Sequence, residues 1–205
     1  MGRTAGATAA GTRERLLRAA ADVFSCRGYE GTRVADIATA TGLSNGALYA
    51  YFGSKAELLV DALRAHGRRV LAELHAADPA RSVSELLLLT GRSLRRRREP
   101  DDELLLEALI AARRDPDVAG AMRGYVRERA GWLAGLVREA QARGELDPAL
   151  PPDAVAHFCL SLAAGTALVG PDPENVDDPG WTALLARLVA ALAPDPARRQ
   201  MGTDG

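Results

Sequence analysis

Apolar residues recur every three or four positions along most of this 205-residue chain, which is the spacing of amphipathic helices. Strict alternation of apolar and polar residues, which marks half-buried strands, is absent. The pattern predicts helices over residues 12–27, 33–41, 45–51, 55–75, 82–98, 101–114, 118–143, 152–169 and 181–192. Alanine, leucine, arginine and glutamate, which favour helices, dominate the composition. We therefore expect an all-α protein.

Residues 32–55 are predicted to form two short helices joined by a tight turn. Thr32 and Ser44 are suitable N-caps for the first and second helix, because a hydroxyl can accept a hydrogen bond from a free N–H of the first turn. Gly42 lies between the helices and readily adopts the positive φ of a helix C-terminus. This order of cap, helix, glycine, cap and helix predicts a helix-turn-helix.

The second of these helices has a core face and a face suited to DNA. Leu48 and Phe52 lie four positions apart and should face the core. The other positions combine small residues, which allow close approach to phosphate, with an amide and two hydroxyls that can bond to bases and phosphates. These residues are Asn45, Gly46, Ala47, Tyr49, Ala50 and Tyr51. The alternative is an ordinary core hairpin whose tyrosines pack internally.

The segment resembles the DNA-binding domain of TetR-type transcriptional regulators over roughly residues 12–60. The residues that carry the resemblance are Arg15 to Ala20, Phe24, Gly28, Tyr29, Thr32, Asp36 to Ala38, Gly42 to Ser44, Gly46, Leu48, Tyr49, Tyr51, Phe52 and Lys55. The resemblance implies DNA contacts from Thr32, Arg33, Ser44, Asn45, Gly46, Ala47, Tyr49, Ala50, Tyr51 and Lys55. Alanine stands at 47 and 50, where family members often carry threonine and histidine. We expect Arg33 and Asn45 to carry more of the sequence readout as a result.

The expected organisation has four parts. Residues 1–11 are predicted to be a disordered arm, in which Arg3 could reach a minor groove. Residues 12–58 form the helix-turn-helix domain and residues 59–195 a helical regulatory and dimerisation domain. Residues 196–205 are predicted to be a disordered tail.

Composition and charge fit a local DNA contact better than a general coating of DNA. The formal net charge is −1, with seven basic against five acidic residues in 1–60 and nineteen against twenty-two in 61–205. The two cysteines, Cys26 and Cys159, lack metal-ligand spacing and suggest buried thiols in a reducing compartment. No secretory signal and no run of ~18 apolar residues is evident. We expect a cytoplasmic protein.

Catalytic, metal and cofactor sites are not expected. The three histidines are His66, His75 and His157, and none lies at zinc-site spacing or beside a nucleophile. A helical enzyme would need a catalytic group that the sequence does not offer. An apolar effector pocket with a few polar groups is the more natural expectation. Its candidate residues are Leu105, Leu109, Met122, Tyr125, Arg129, Trp132 and Phe158. Arg129 could bind an anionic effector, pair with Glu107, or extend into water.

The last two helices combine small residues and leucines in a way that suits close packing against a second helix pair. The resemblance implies that they form a dimer interface, with Val155, Leu162, Ala163, Leu184 and Leu188 as candidates. An ordinary monomer core explains the same pattern equally well.

The function implied by the resemblance is sequence-specific DNA binding, in a homodimeric transcriptional repressor. A small-molecule effector of unknown identity would release it from a palindromic operator. A ligand-independent architectural DNA binder and a protein-interaction module remain the alternatives.

Overall fold

The structure is a computed structural model and describes residues 3–78, 82–93, 100–169 and 176–194. Within these ranges all regular secondary structure is helical, which confirms the all-α expectation. The helices are α1 (Arg3–Gly31), α2 (Val34–Thr41), α3 (Asn45–Tyr49), α4 (Lys55–Ala77), α5 (Val83–Ser93), α6 (Pro100–Ala111), α7 (Pro116–Ala142), α8 (Pro152–Val169) and α9 (Asp178–Ala190). Residues 1–2, the end predicted for the fifth helix (94–98) and the tail 196–205 lie outside the described residues.

Several helix limits differ from the expectation, each with a local cause. α1 begins at Arg3, within the stretch expected to be a disordered arm, and that stretch is rich in alanine. α9 begins three residues early because the carboxylate of Asp177 accepts the Gly180 N–H at 2.8 Å, with Pro179 in the first turn. Serine hydroxyls cap the starts of two further helices: Ser54 accepts the Glu57 N–H at 3.0 Å, and Ser82 accepts the Glu85 N–H at 3.2 Å.

One compact unit comprises the described residues of 1–73 and 98–125. Its core contains the largest fully buried side chains of the first four helices together with residues of α6 and the first turns of α7. Those side chains are Leu16, Phe24, Ile37, Leu48, Phe52, Leu58, Leu59, Leu104, Ala108, Val118 and Met122. Burying each large side chain contributes ~1.5–3 kcal/mol to folding. The helix-turn-helix thus shares one core with α6, which lies beyond the domain boundary expected at residue 58.

The second unit comprises the described residues of 74–97 and 126–205. Val137 and Ala140 of α7 pack there with Leu146 and Val155. Gly144 adopts φ 73° just after α7, and the Glu145 N–H donates to the Ala140 carbonyl at 2.9 Å, which is a common way for a helix to end.

The two cysteines lie in different environments. Cys159 is half-buried against the second core, and burial raises the pKa of its thiol. Cys26 is exposed, so the expectation of two buried thiols is wrong for this residue.

Candidate nucleic-acid interface

The turn between α2 and α3 is fixed by backbone hydrogen bonds around a left-handed glycine. Gly42 has φ 71° and ψ 22°, a conformation that costs a side-chain-bearing residue ~1–2 kcal/mol. The Gly42 N–H donates to the Thr39 carbonyl at 3.1 Å, and the Leu43 N–H donates to the Ala38 carbonyl at 2.9 Å. Leu43 also packs against the first core. These contacts hold α2 and α3 in the expected helix-turn-helix arrangement.

The start of α3 is capped as the sequence predicts. The Ser44 hydroxyl accepts the Ala47 N–H at 3.2 Å. Leu48 and Phe52 are each 1% exposed and anchor this segment to the core. Because these two side chains face inward, Asn45 and Tyr49 lie on the outer face, where Tyr49 is 50% exposed.

The start of α2 differs from the prediction. Arg33, and not Thr32, occupies the N-cap position, and the Asp36 carboxylate accepts the Arg33 N–H at 3.1 Å. Asp36 also pairs with Arg27, with Nη1 and Oδ2 3.2 Å apart. Thr32 is 1% exposed, and its hydroxyl donates to the Gly28 carbonyl at 2.7 Å. Its hydroxyl therefore secures the corner between α1 and α2, and the predicted capping role is wrong.

The ten residues predicted to contact DNA fall into three exposure classes. Six are exposed: Arg33, Ser44, Asn45, Gly46, Tyr49 and Ala50. Three are half-buried: Ala47, Tyr51 and Lys55. Thr32 alone among the ten is buried. Nine of the ten therefore present at least part of their surface, and they lie on α2, α3 and the segment leading into α4.

Lys55 has a defined environment at the start of α4. Its Nζ lies 4.2 Å from the centroid of the Tyr29 ring, a cation–π contact. The Tyr29 hydroxyl donates to Asp115 Oδ2 at 2.8 Å. Burial and this bond to a carboxylate raise the pKa of Tyr29 well above its usual value of 10.0.

A second charged cluster holds α1 against α4 beneath the helix-turn-helix. Asp61 accepts hydrogen bonds from the guanidinium groups of Arg13 and Arg64, and its side chain is 11% exposed. The Arg13 guanidinium lies 5.0 Å from the centroid of the Phe52 ring. The cluster therefore connects α1 and α4 to Phe52, the core residue that follows α3.

The family follows from two matches to family models. A model described as bacterial regulatory proteins, tetR family, matches residues 16–62, and a tetracyclin repressor-like C-terminal domain matches residues 81–178. Together the matches span more than half of the chain. The chain belongs to the TetR family. It is therefore a helix-turn-helix DNA-binding transcriptional regulator.

Individual relatives agree with this assignment. The transcriptional regulator UidR of Escherichia coli K12 is 27% identical over 161 residues, which are 75% of this chain and 79% of UidR. The transcriptional repressor NicS of Pseudomonas putida is 30% identical over 141 residues, 65% of each chain. Among solved structures, a TetR-family regulator from Rhodococcus sp. has a TM-score of 0.74 at 23% identity, covering 89% of this chain and 98% of its own. Salmonella enterica GusR has a TM-score of 0.69 at 23% identity, covering 89% and 95%. These two structures support the fold.

The residues expected to line an effector pocket in this TetR-family regulator lie in both compact units. The first-unit members pack against the first core: Leu105, Leu109, Met122 and Tyr125. In the second unit the Arg129 guanidinium lies 5.1 Å from the centroid of the Trp132 ring, and Trp132 is 40% exposed. Glu107, one suggested partner of Arg129, accepts the Tyr29 N–H at 2.5 Å.

The candidate interface residues all belong to the second unit and differ in how exposed they are. Val155 is 7% exposed within the second core, so it serves the interior of one chain. Leu184 and Leu188 are 50% and 44% exposed, while Leu162 and Ala163 are half-buried. The structure adds exposed apolar residues that the sequence analysis did not assign to an interface. They are Phe158, Leu168 and Val169, which are 57%, 66% and 82% exposed.

Sequence reasoning also missed Asp61 and Asp115. Asp115 directly precedes Pro116, the first residue of α7, and aspartate is a frequent N-cap. Both of its side-chain oxygens are engaged, since Oδ1 accepts the N–H groups of Asp117 and Val118 at 2.8 and 3.2 Å. The Tyr29 bond, followed by these backbone bonds, holds the pKa of Asp115 below its usual 3.8.

Proposed function

We propose that this TetR-family regulator is a cytoplasmic homodimeric repressor that binds a palindromic operator and releases it when a small-molecule effector binds. The observation that carries the proposal is the outer face of α3, where Asn45, Gly46 and Tyr49 are exposed on a helix fixed by the turn at Gly42. The printed names of the relatives, a regulator and a repressor, support the assignment.

The exposed residues suggest a division of work at the operator. The amide of Asn45 can form two hydrogen bonds to an adenine edge, and the guanidinium of Arg33 can do the same at a guanine. Hydroxyls of Ser44, Tyr49 and Tyr51 are suited to phosphate oxygens. Thr32 has no part in this, because its side chain is buried.

A second copy of this chain is the proposed partner for the outer faces of α8 and α9. α8 is 18 residues long with a mean hydropathy of 1.3, which is long and apolar enough to span a membrane by length and composition alone. Among its residues only Val155 and Ala156 are buried. Phe158, Leu168 and Val169 are exposed on α8, and Leu184 and Leu188, four positions apart, are exposed on α9. Isolated chains rarely leave so much apolar surface in water, and two-fold pairing of these helices would cover it.

A dimer would also bind DNA more tightly and more selectively than one chain, because two reading helices could contact the same duplex. Two reading helices related by a two-fold axis would enter major grooves ~34–36 Å apart on one side of the duplex. In this proposal the dimer has two states, one in which the distance between the two reading helices matches the major grooves and one in which it does not. The effector binds the second state more tightly, because only a difference in affinity can shift the equilibrium between them. Within the first compact unit, the residues proposed to contact the effector are Leu105, Leu109, Met122 and Tyr125.

Gly165 offers a sharp test of the dimer. A Cβ at Gly165 would meet no atom within 4 Å in the single chain, and the residue is exposed on α8. Gly165→Glu therefore leaves the fold of one chain intact and places a charge on the proposed contact face. Gly131→Glu is the matched control, since Gly131 is exposed and equally open on α7. Sedimentation velocity should show a dimer for the wild type and the control, and a monomer for Gly165→Glu. A monomeric wild type would contradict the proposal.

The operator can be found without knowing it in advance. Fragments of the source genome, including the DNA upstream of the gene itself, are selected on the purified protein at physiological ionic strength and then footprinted. The proposal predicts a palindromic site with half-sites one helical turn apart, or a multiple of that, bound by two chains. Enrichment without a shared sequence would favour an architectural DNA binder instead, and absence of enrichment would favour a protein-interaction module.

A further inference from the structure

Two carboxylates accept hydrogen bonds from Tyr29, which lies at the corner between α1 and α2. The backbone N–H of Tyr29 donates to Glu107 Oε1 at 2.5 Å, and its hydroxyl donates to Asp115 Oδ2 at 2.8 Å. Glu107 lies on α6, and Asp115 lies in the turn between α6 and α7. Tyr29 is 6% exposed, so both bonds are made by a buried residue of the DNA-binding head. Tyr29 therefore adds two hydrogen bonds, one to α6 and one to the turn before α7, to the hydrophobic core that the head shares with these helices.

The backbone next to Tyr29 is built for this contact. Gly28 has φ 70° and ψ 169°, a conformation that residues with side chains rarely adopt. A Cβ at Gly28 would lie 3.2 Å from Glu107 Oε1 and 3.4 Å from its Cδ. Glycine thus permits both the local bend and the close approach of the carboxylate. The bend directs the Tyr29 N–H at Glu107 and not at a carbonyl of α1.

Asp115 links Tyr29 to the first turn of α7. Its Oδ1 caps that turn by accepting the N–H groups of Asp117 and Val118, while its Oδ2 accepts the tyrosine hydroxyl. One carboxylate thus joins the Tyr29 hydroxyl to the first turn of α7. Val118 is fully buried in the first core, which fixes the turn in its present place.

The ring of Tyr29 contacts the start of α4, the helix that follows α3. Lys55 Nζ lies 4.2 Å from the centre of the Tyr29 ring, and Lys55 is the first residue of α4. The Asp115 carboxylate also interacts electrostatically with Lys55. The ring of Phe24 stacks on the Tyr29 ring with centroids 6.1 Å apart, which fixes the plane over which the ammonium lies. Asp115, Tyr29 and Lys55 thus form a continuous chain of contacts from α7 to α4.

We propose that Tyr29 is a positioning residue through which the α6–α7 turn sets the place of the Lys55 ammonium, and thereby the affinity of the head for DNA. The proposal rests on the DNA-binding function proposed above and assigns part of its regulation to named residues. The hydrogen bond from Tyr29 to Asp115 fixes the tyrosine ring, and the ring fixes the Lys55 ammonium at the start of α4, where it can bind a phosphate of the operator.

The chain provides its own probe, because Lys55 is its only lysine. Protein made with lysine labelled with ¹³C at Cε gives one side-chain signal, and protons above the face of a ring resonate upfield. Tyr29→Phe removes the hydroxyl and keeps the ring. Asp115→Asn keeps an oxygen that can cap α7 but removes the charge. Asp117→Asn is the charge-matched control two residues further along the chain, since its side chain is exposed.

The expected result in free protein is an upfield Lys55 signal that moves towards the unfolded position in both Tyr29→Phe and Asp115→Asn, and stays in place in Asp117→Asn. With the selected duplex, both variants should bind ~3- to 10-fold more weakly, a fold-change that matches the net strength of one typical hydrogen bond. In a Lys55→Gln background the same changes should leave affinity within ~2-fold, because Tyr29 acts through Lys55.

Two outcomes would overturn the proposal. One is a Lys55 chemical shift that is the same in wild type, Tyr29→Phe and Asp115→Asn. The other is an equal loss of DNA affinity in the wild-type and Lys55→Gln backgrounds, as general destabilisation would give. The NMR measurement needs no DNA. A wild type that binds no sequence specifically would therefore contradict the proposed function, while the Lys55 signal would still show whether Asp115 and Tyr29 hold the ammonium.

Discussion

Gly91 of α5 and Leu185 of α9 approach each other so closely that no side chain fits between them. A Cβ at Gly91 would lie 2.9 Å from Leu185 Cδ1 and 3.2 Å from its Cδ2. Trp181 strengthens the same contact, since its Nε1–H donates to the Gly91 carbonyl at 3.0 Å. A glycine inside a helix normally lowers stability. Here it allows α5 and α9 of the second unit to pack.

The first prediction follows from this contact. Gly91→Ala should lower the free energy of unfolding by ~1–3 kcal/mol, because Leu185 is 5% exposed and must move within a packed seam. Chemical denaturation followed by circular dichroism measures the change. Gly131→Ala is the control, because a Cβ there meets nothing within 4 Å, and it should raise stability by up to ~1 kcal/mol. Equal effects of the two substitutions would show that the close contact does not exist.

The second prediction concerns the carboxylate shared by two arginines in the head. Asp61→Asn should lower stability by ~1–3 kcal/mol, because Arg13 and Arg64 each lose a charged hydrogen-bond acceptor that is largely shielded from water. Glu14→Gln removes the exposed pair with Arg18 and should change stability by no more than ~0.5 kcal/mol. Thermal unfolding of the three proteins decides between a structural cluster and an incidental surface pair; in the latter case both changes would be small.

The third prediction is a pH dependence that belongs to Asp115. Folding lowers its pKa below 3.8, so its ionised form stabilises the folded state. That contribution is complete above the unfolded pKa and is lost as the pH falls through the lower folded pKa. The stability difference between wild type and Asp115→Asn should therefore be largest near neutrality and shrink as the pH is lowered from ~5 to ~2. A difference that stays constant over this range would show that the charge of Asp115 is not involved.

The helix-turn-helix could be read from the sequence because its signals are local. A glycine at a left-handed position, a serine that caps its own helix and apolar residues four apart need no knowledge of distant residues. The same reasoning placed Leu48 and Phe52 in the core and Asn45 and Tyr49 outside it, as the structure has them.

Long-range relationships could not be read in the same way. Threonine is a common N-cap residue, but the Thr32 hydroxyl donates to the carbonyl of Gly28, where the chain bends, and the side chain is buried. Glu107 and Asp115 lie 78 and 86 positions from Tyr29, and no periodicity marks them as partners. The core that the head shares with α6 likewise joins residues far apart in the sequence, and the expected boundary at residue 58 stays a prediction.

The central claim is that the exposed face of α2 and α3 reads DNA sequence. Its most direct test is the affinity of wild type, Asn45→Ala, Arg33→Ala and the charge-matched control Arg123→Ala for the selected duplex and for a scrambled one, at fixed salt. Arg123 is exposed on α7, away from the reading helix in sequence. The account predicts a ~5- to 150-fold loss for Asn45→Ala and Arg33→Ala on the selected duplex, equal to ~1–3 kcal/mol, with little change on the scrambled duplex or for the control. Unchanged affinity of both variants for the selected duplex would contradict it.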